Sequence, residues 1–356
     1  MPHHPDASLG LTWRALTPDD LDLWLTLEQA IESADEASER FDRDDLLDEL
    51  ADGSWKDPAH DSLVGLDEQG TPRAFGLVEA LPGATLRRML LWGGVHPDWR
   101  RRGVGRELLR WQVDRAHEKL ETPPTEPVPA LTDLAVDPAW LTDTGWRIQL
   151  SHPQRLADRS ALARAAGMQP VRYFHDLVRE LTTPGAPPVP QIPLPEPLEL
   201  LPYLPAHAER LRLAHNEAFA GHWGSQPRTP EAWRTQLVDQ RNFRPDWTFL
   251  AIDPTRRDDD GLPAVAGYVT GAAFEQDFEP QGYTAGWTGL LGVRPAWRGR
   301  RLAPALLAAQ LRAFAASGME KAGLDVDTGN ASGALALYTG LGYEVESTSV
   351  VWALEG

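Results

Sequence analysis

The chain has 356 residues, a formal net charge of −18 and no cysteine. That length suits two domains rather than one. The missing cysteine excludes disulfides, zinc–thiolate sites and a cysteine nucleophile, and the acidic balance disfavours nucleic acid and anionic membranes as partners. No apolar run approaches a membrane span, and the opening MPHHPDASLG lacks a cationic, apolar leader pattern, so the expectation is a cytoplasmic globular protein.

In chain order, Leu9–Leu16 reads as a first strand. Thr17-Pro18-Asp19-Asp20 reads as a helix start, with Thr17 as N-cap and two acids suiting the dipole. An acidic amphipathic helix is expected around Asp44–Leu50, closed by Gly53. Ser62–Leu66 and Ala74–Ala80 read as paired strands around a glycine turn. Met89–Val95 is an apolar strand, and a helix runs from the next turn to about Lys119. Between them lies Val95-His96-Pro97-Asp98-Trp99-Arg100-Arg101-Arg102-Gly103-Val104-Gly105. Strand, basic glycine-containing turn and helix together make an amide nest at a helix N-terminus, where unpaired N–H groups and the dipole attract an anion. Trp146–Leu150 reads as a strand, Arg155–Ala166 as a helix closed by Gly167, and Gln169–Leu181 as a final strand.

Pro184–Pro197 holds seven prolines in fourteen residues. It favours extended polyproline geometry and reads as a semi-rigid linker. The plan then repeats. Helices are expected at Ala206–Phe219 and Pro230–Gln240, and strands at Thr248–Ile252, Val265–Phe274 and Gly286–Val293. A helix at Pro304–Ala316, a strand at Ala322–Val326, a helix at Gly333–Leu341 and a terminal strand at Glu344–Leu354 complete it. Val293, Pro295, Trp297, Arg298, Arg300, Leu306 and Leu307 match Val95, Pro97, Trp99, Arg100, Arg102, Leu108 and Leu109 at one fixed offset, the mark of an internal duplication. The first copy runs longer between Gly103 and Gly167 than the second between Arg301 and Gly342, which places an insertion near Leu120–Thr144. The expected domains are 1–183 and 198–356, packed on each other and joined by 184–197.

Arg100-x-x-Gly103-x-Gly105 resembles the (Gln/Arg)-x-x-Gly-x-(Gly/Ala) acyl-CoA pyrophosphate loop of the GCN5-related N-acetyltransferases (GNAT). The second copy, Arg298-x-x-Arg301-x-Ala303, resembles it with Arg301 where glycine is expected. Asn330 to Tyr343, NASGALALYTGLGY, resembles the family's second signature with one extra residue between Asn330 and Tyr338. The resemblance covers both halves and is similar to the tandem arrangement of the mycothiol synthase-like group. It implies two α/β domains, each a mixed, mostly antiparallel sheet flanked by helices.

The implied chemistry is acetyl transfer from acetyl-CoA to the amine of a small molecule or peptide. The implied pyrophosphate contacts are Arg100, Arg101, Arg102, Gly103, Val104 and Gly105 in one copy and Arg298, Gly299, Arg300, Arg301, Leu302 and Ala303 in the other. Val95, Leu291 and Val293 lie on strand edges that can pair with the pantetheine arm or steady a thioester oxygen. Asn330 either binds the arm or caps its helix. Tyr338 stands where the family places a tyrosine against the thioester sulfur, the general acid for the leaving thiolate. The first copy has Ala163 there.

The base stays open among Glu217, His215, His222, Glu275, Asp325 and Asp327. The mycothiol synthase-like group is expected to carry a glutamate shortly after an Ala-Phe…His segment. Here Ala218-Phe219-Ala220-Gly221-His222 is followed by Trp223-Gly224-Ser225, without an acid. Trp223, Trp233, Trp247 and Trp287 are candidates for an acceptor pocket or for core packing. The histidines lack metal-ligand spacing, so no metal is expected. The reading favours the second domain for turnover because it keeps Tyr338, with the first holding acetyl-CoA. The alternatives are a first domain that is itself active, given its intact loop, and a non-catalytic CoA-binding scaffold.

Overall fold

The computed structural model describes residues 3–37, 39–50, 57–81, 86–121, 145–220, 222–223, 225, 227–329 and 333–356. The helix stop at Gly53, most of the expected insertion and Asn330 lie outside the described residues. The chain forms two compact units, Met1–Arg172 with Ser349–Gly356 and Tyr173–Thr348.

The first unit contains β1 (Thr12–Arg14), α1 (Leu21–Asp35), α2 (Arg43–Glu49), β2 (Ser62–Leu66), β3 (Pro72–Leu81), β4 (Arg87–Val95), α3 (Val104–Glu121), β5 (Trp146–Pro153) and α4 (Ala157–Ala165). Its first strand is shorter than the sequence suggests. At α1 the Asp20 carboxylate accepts from the Thr17 N–H at 2.9 Å and from the Thr17 hydroxyl at 2.8 Å, fixing the turn that feeds the helix.

β1 to β4 form an antiparallel run, β4 and β5 are parallel, and β5 pairs antiparallel with residues of β12 (Glu344–Glu355). Apolar side chains on the two faces bury against different helices. Leu108, Leu109 and Trp111 of α3 pack with Val78, Leu91 and Ile148, while Trp24, Leu27 and Ile31 of α1 pack with Phe75 and Leu77.

The second unit contains residues of β6 (Gln169–Glu180), then β7 (Glu199–Pro202), α5 (Ala208–Ala218), β8 (Phe243–Arg257), β9 (Pro263–Ala272), α6 (Glu275–Gln281), β10 (Ala285–Val293), α7 (Leu302–Ala316), β11 (Lys321–Asp327) and α8 (Ala334–Gly340). Its strand order is β6-β11-β10-β9-β8-β7, with β10 and β11 parallel and the other pairs antiparallel. The expected helix Pro230–Gln240 is an α-turn at Pro230–Trp233 followed by a π-helical turn at Arg234–Val238. α6, with Pro280 inside it, was not expected from the sequence.

The repeat written in the sequence and the division in space differ. β12 of the second copy closes the first unit against β5, and β6 of the first copy closes the second unit against β11. The proline-rich segment lies within the second unit, where Val189 and Ile192 pack on its core and the buried Arg179 donates to the carbonyls of Pro187 and Pro188 at 3.2 and 3.0 Å. Proline removes N–H donors but leaves carbonyls as acceptors, so a buried guanidinium can hold the segment down.

Candidate active site

Both loops have the anion-nest geometry. In the first, Arg101 and Gly103 have φ of 62° and 89°. In the second, Gly299 and Arg301 have φ of 75° and 62°. Each loop therefore uses the same two left-handed positions, with glycine and arginine interchanged between copies. Arg301 keeps the backbone bend that glycine adopts without strain. Helices α3 and α7 start immediately beyond and aim their first-turn N–H groups out of the loop.

The first arginine of each loop bonds back to the end of its own strand, Arg100 half-buried and Arg298 exposed. Arg100 donates to the Val95 carbonyl at 3.1 Å and to both Asp35 oxygens at 2.6 and 3.1 Å. Arg298 donates to the Val293 carbonyl at 3.1 Å and the Ala218 carbonyl at 2.6 Å. These side chains lock the strand end to the loop. Arg101, Arg102, Arg300 and Arg301 remain exposed, and Arg102 lies over Trp99 at 4.8 Å.

Beyond the loops the parallel strands part. β4 and β5 pair only from Arg87↔Trp146 to Leu90↔Gln149, and β10 and β11 only from Ala285↔Lys321 to Thr288↔Leu324. The His96 N–H reaches the Arg73 carbonyl on β3, and the Arg294 N–H reaches the Ala266 carbonyl on β9. Strand alternation then turns the N–H groups of Val95, Leu291 and Val293 to the open side. In the first unit this slot is a cavity of about 380 Å³ bordered by β4, the loop, β5 and α4. An amide nest leading into a slot edged by unpaired strand N–H and C=O groups fits a pyrophosphate carrying an extended amide arm, which is the shape of coenzyme A.

The two slots differ in three ways. β10 carries a bulge between Thr288 and Leu290, whereas β4 pairs with β3 without interruption. Tyr338 is 9% exposed and lies edge-on to Tyr343 with ring centres 6.1 Å apart, whereas Ala163 borders the first slot. Among the described residues no protein group hydrogen-bonds the Tyr338 hydroxyl. Burial first, and then the charge of Asp325, push its pKa up to about 12, so it holds its proton.

The third difference is Asp325 itself. It faces Asp176 across the β11–β6 ladder, where the first unit has Ser151 facing Val351. Asp325 is solvent-exposed and lies one residue beyond the last β10–β11 pair, where the two strands part. Burial first, and then the Asp176 charge, push its pKa up to about 6, with His222 opposing.

The other candidate bases have structural partners. His215 shares a 2.6 Å hydrogen bond with the Tyr268 hydroxyl, and burial lowers its pKa to about 3, so it is neutral. Glu217 pairs with Arg294 at 2.5 Å and Glu275 with Arg244 at 2.6 Å. Asp327 accepts the Gly329 N–H at 2.9 Å. Trp233 and Trp247 are core residues, while Trp223 and Trp287 are half-buried.

The fold and the two loop-and-slot sites are those of acyl-CoA-dependent acyltransferases. The model of the Acetyltransferase (GNAT) family matches residues 24–127 and 209–343, and the chain belongs to that family, carrying its fold twice. It is similar along its length to the mycothiol acetyltransferase of Salinispora arenicola, at 30% identity over 95% of this chain and 94% of the relative. The mycothiol acetyltransferase of Nocardiopsis dassonvillei is also 30% identical, over 95% and 96%. Among solved structures, a GCN5-related N-acetyltransferase from Sphaerobacter thermophilus superposes with a TM-score of 0.71 at 23% identity, over 99% of this chain and 97% of that one. A tandem GNAT protein from the clavulanic acid biosynthesis pathway superposes with a TM-score of 0.63 at 18% identity, over 97% and 98%. The protein is an N-acetyltransferase of the acetyl-CoA-using kind. No helix among the described residues is long and apolar enough to cross a membrane.

Proposed function

We propose that the second unit transfers the acetyl group and that the first holds acetyl-CoA without turnover, in a cytoplasmic enzyme. The observation that carries this reading is the contrast at equivalent positions: Tyr338, Asp325 and the β10 bulge on one side, Ala163, Ser151 and an unbroken β4 on the other. In the second unit, Gly299, Arg300, Arg301, Leu302 and Ala303 would hold the pyrophosphate, and the Leu291 and Val293 N–H groups would face the thioester oxygen. Acetyl-CoA supplies the activated acyl carbon.

Asp325, ionised above pH 6, takes the proton that the acceptor amine loses as it adds. Tyr338 stays protonated across the physiological range and can give its proton to the departing sulfur. The bulge interrupts regular pairing with β9 where β10 and β11 part, freeing backbone to face the reacting atoms. Arg101 to Gly105 would hold a second donor molecule in the first unit. The missing acid after His222 separates this chain from the glutamate pattern expected of the mycothiol synthase-like group, so a mycothiol precursor is not proposed as the acceptor.

Tyr338→Phe tests the assignment. Removing the hydroxyl alone is expected to lower kcat by about a hundredfold or more, the usual contribution of a positioned acid, with acetyl-CoA binding retained by calorimetry. Unchanged turnover would remove Tyr338 from the reaction.

A further inference from the structure

The β11–β6 ladder treats charge in two ways. Lys321 faces Glu180, and their side chains pair at 3.2 Å. Four pairs further along, on the same face, Asp325 faces Asp176, two carboxylates directly opposite each other. Like charges in that position repel, and the arrangement costs stability unless a cation lies between them. Ser347 donates to Asp176, but neither carboxylate has an arginine or lysine partner among the described residues. Two pairs beyond, Asp327 and Phe174 extend the same face. There the Phe174 ring meets the Trp223 ring at 6.3 Å, and His222, next to Trp223, acts on the charge of Asp325. The Tyr338 hydroxyl, unpartnered on a side chain 9% exposed, is held in reach of the Asp325 charge. Two unneutralised carboxylates, a pair of aromatic rings and a phenolic hydroxyl thus converge on one end of the slot in the second unit.

We propose that this is the acceptor site, that its occupant is an organic ammonium with an apolar alkyl or aryl stem, and that Asp176 anchors the cation while the stem lies on Phe174 and Trp223. Ammonium groups bind between carboxylates and over aromatic faces, and the attraction grows as water is excluded. The floor offers rings where a polyhydroxylated amine would need hydrogen-bonding partners. Asp176 is a specificity residue: it holds the ammonium, which gives one proton to water to become the attacking amine, and its neighbour Asp325 takes the second as the nitrogen adds and the thiolate leaves. The proposal rests on the second unit being the transferring one, and the test separates the two claims.

Phenethylammonium, its neutral analogue 2-phenylethanol and glucosamine would be titrated by calorimetry into the full chain without acetyl-CoA, and into Asp176→Asn, Asp176→Glu and Trp223→Ala. Phenethylammonium is expected to bind, and glucosamine and the alcohol to bind at least about tenfold more weakly. Asp176→Asn, which keeps the Ser347 hydrogen bond, should weaken phenethylammonium by about tenfold or more, Asp176→Glu should recover part of that loss, and Trp223→Ala should weaken it too. Equal binding by folded Asp176→Asn, equal binding of the alcohol, or tighter binding of glucosamine would overturn the site. If the cation binds in an Asp176-dependent way and no amine is acetylated, the cation site stands and the transfer reading fails. If amines are acetylated with no dependence on Asp176, the transfer reading stands and the cation site fails.

Discussion

A base that ionises near pH 6 prescribes the pH dependence of the reaction. With Asp325 as the proton acceptor and its pKa raised to about 6, kcat/KM for a saturating donor should rise with pH, reaching half its plateau near pH 6. About a tenth of the plateau remains one unit below and about nine tenths is reached one unit above, as a single ionisation requires. Asp325→Asn should remove this limb and lower the plateau by about a hundredfold or more. Asp176→Asn gives a finer test. Burial is the larger cause of the raised pKa and the Asp176 charge the next, so removing that charge should move the limb to lower pH, stopping well short of the ordinary value of 3.8. The assay is initial rate against pH with free thiol detection, at fixed ionic strength because the coupling is screened by salt. A limb that persists in Asp325→Asn, or one that Asp176→Asn leaves in place, would refute the assignment.

Glu28 on α1 is 5% exposed, with Oε2 buried and unpaired, and burial followed by the Glu32 charge pushes its pKa up to about 8 from 4.5. The folded state thus binds this proton more tightly than the unfolded chain. Stability should fall as pH rises from 4.5 to 8, by up to roughly 5 kcal/mol at about 1.4 kcal/mol per pH unit. Glu28→Gln should therefore flatten the pH dependence of Tm and raise Tm at pH 8.5; a wild-type-like profile would show that the carboxyl is ionised and compensated. At the second loop, Gly299 has a positive φ and open space around a would-be Cβ, so Gly299→Ala should cost about 1 kcal/mol by urea unfolding from backbone strain alone, while Arg301→Gly should cost less than that or stabilise. Equal losses for the two would contradict the left-handed geometry at one of them.

The sequence exposes what is local. The strand, basic loop and helix of each copy, the stop at Gly167 and the substitution of Ala163 for a tyrosine all follow from spacing and residue type. The constraint at Arg301 is also local, because a missing glycine announces itself. The bonds of Arg100 and Arg298 to protein acceptors are not, since Asp35 and Ala218 lie far from them in sequence and come within reach only when the chain folds.

The strand exchange is invisible for a related reason. β6 and β12 have the same alternating pattern whichever partner they take, and only the register decides that β5 meets β12 and β11 meets β6. The bulge in β10 requires that same knowledge, and so does the meeting of Asp325 with Asp176, which come from opposite copies. The sequence offers six candidate bases, and the partners that His215, Glu217 and Glu275 take in the fold are what favour proposing Asp325.

Transfer in the second unit requires an intact donor loop there. Gly105 and Ala303 occupy equivalent positions in the first turns of α3 and α7, where a carboxylate would repel a pyrophosphate. The decisive measurement is acetyl transfer by Gly105→Glu and Ala303→Glu, with folding checked by circular dichroism. Ala303→Glu is expected to abolish turnover, and Gly105→Glu to retain it while losing one molar equivalent of bound donor. Turnover abolished by Gly105→Glu and retained by Ala303→Glu would contradict transfer in the second unit.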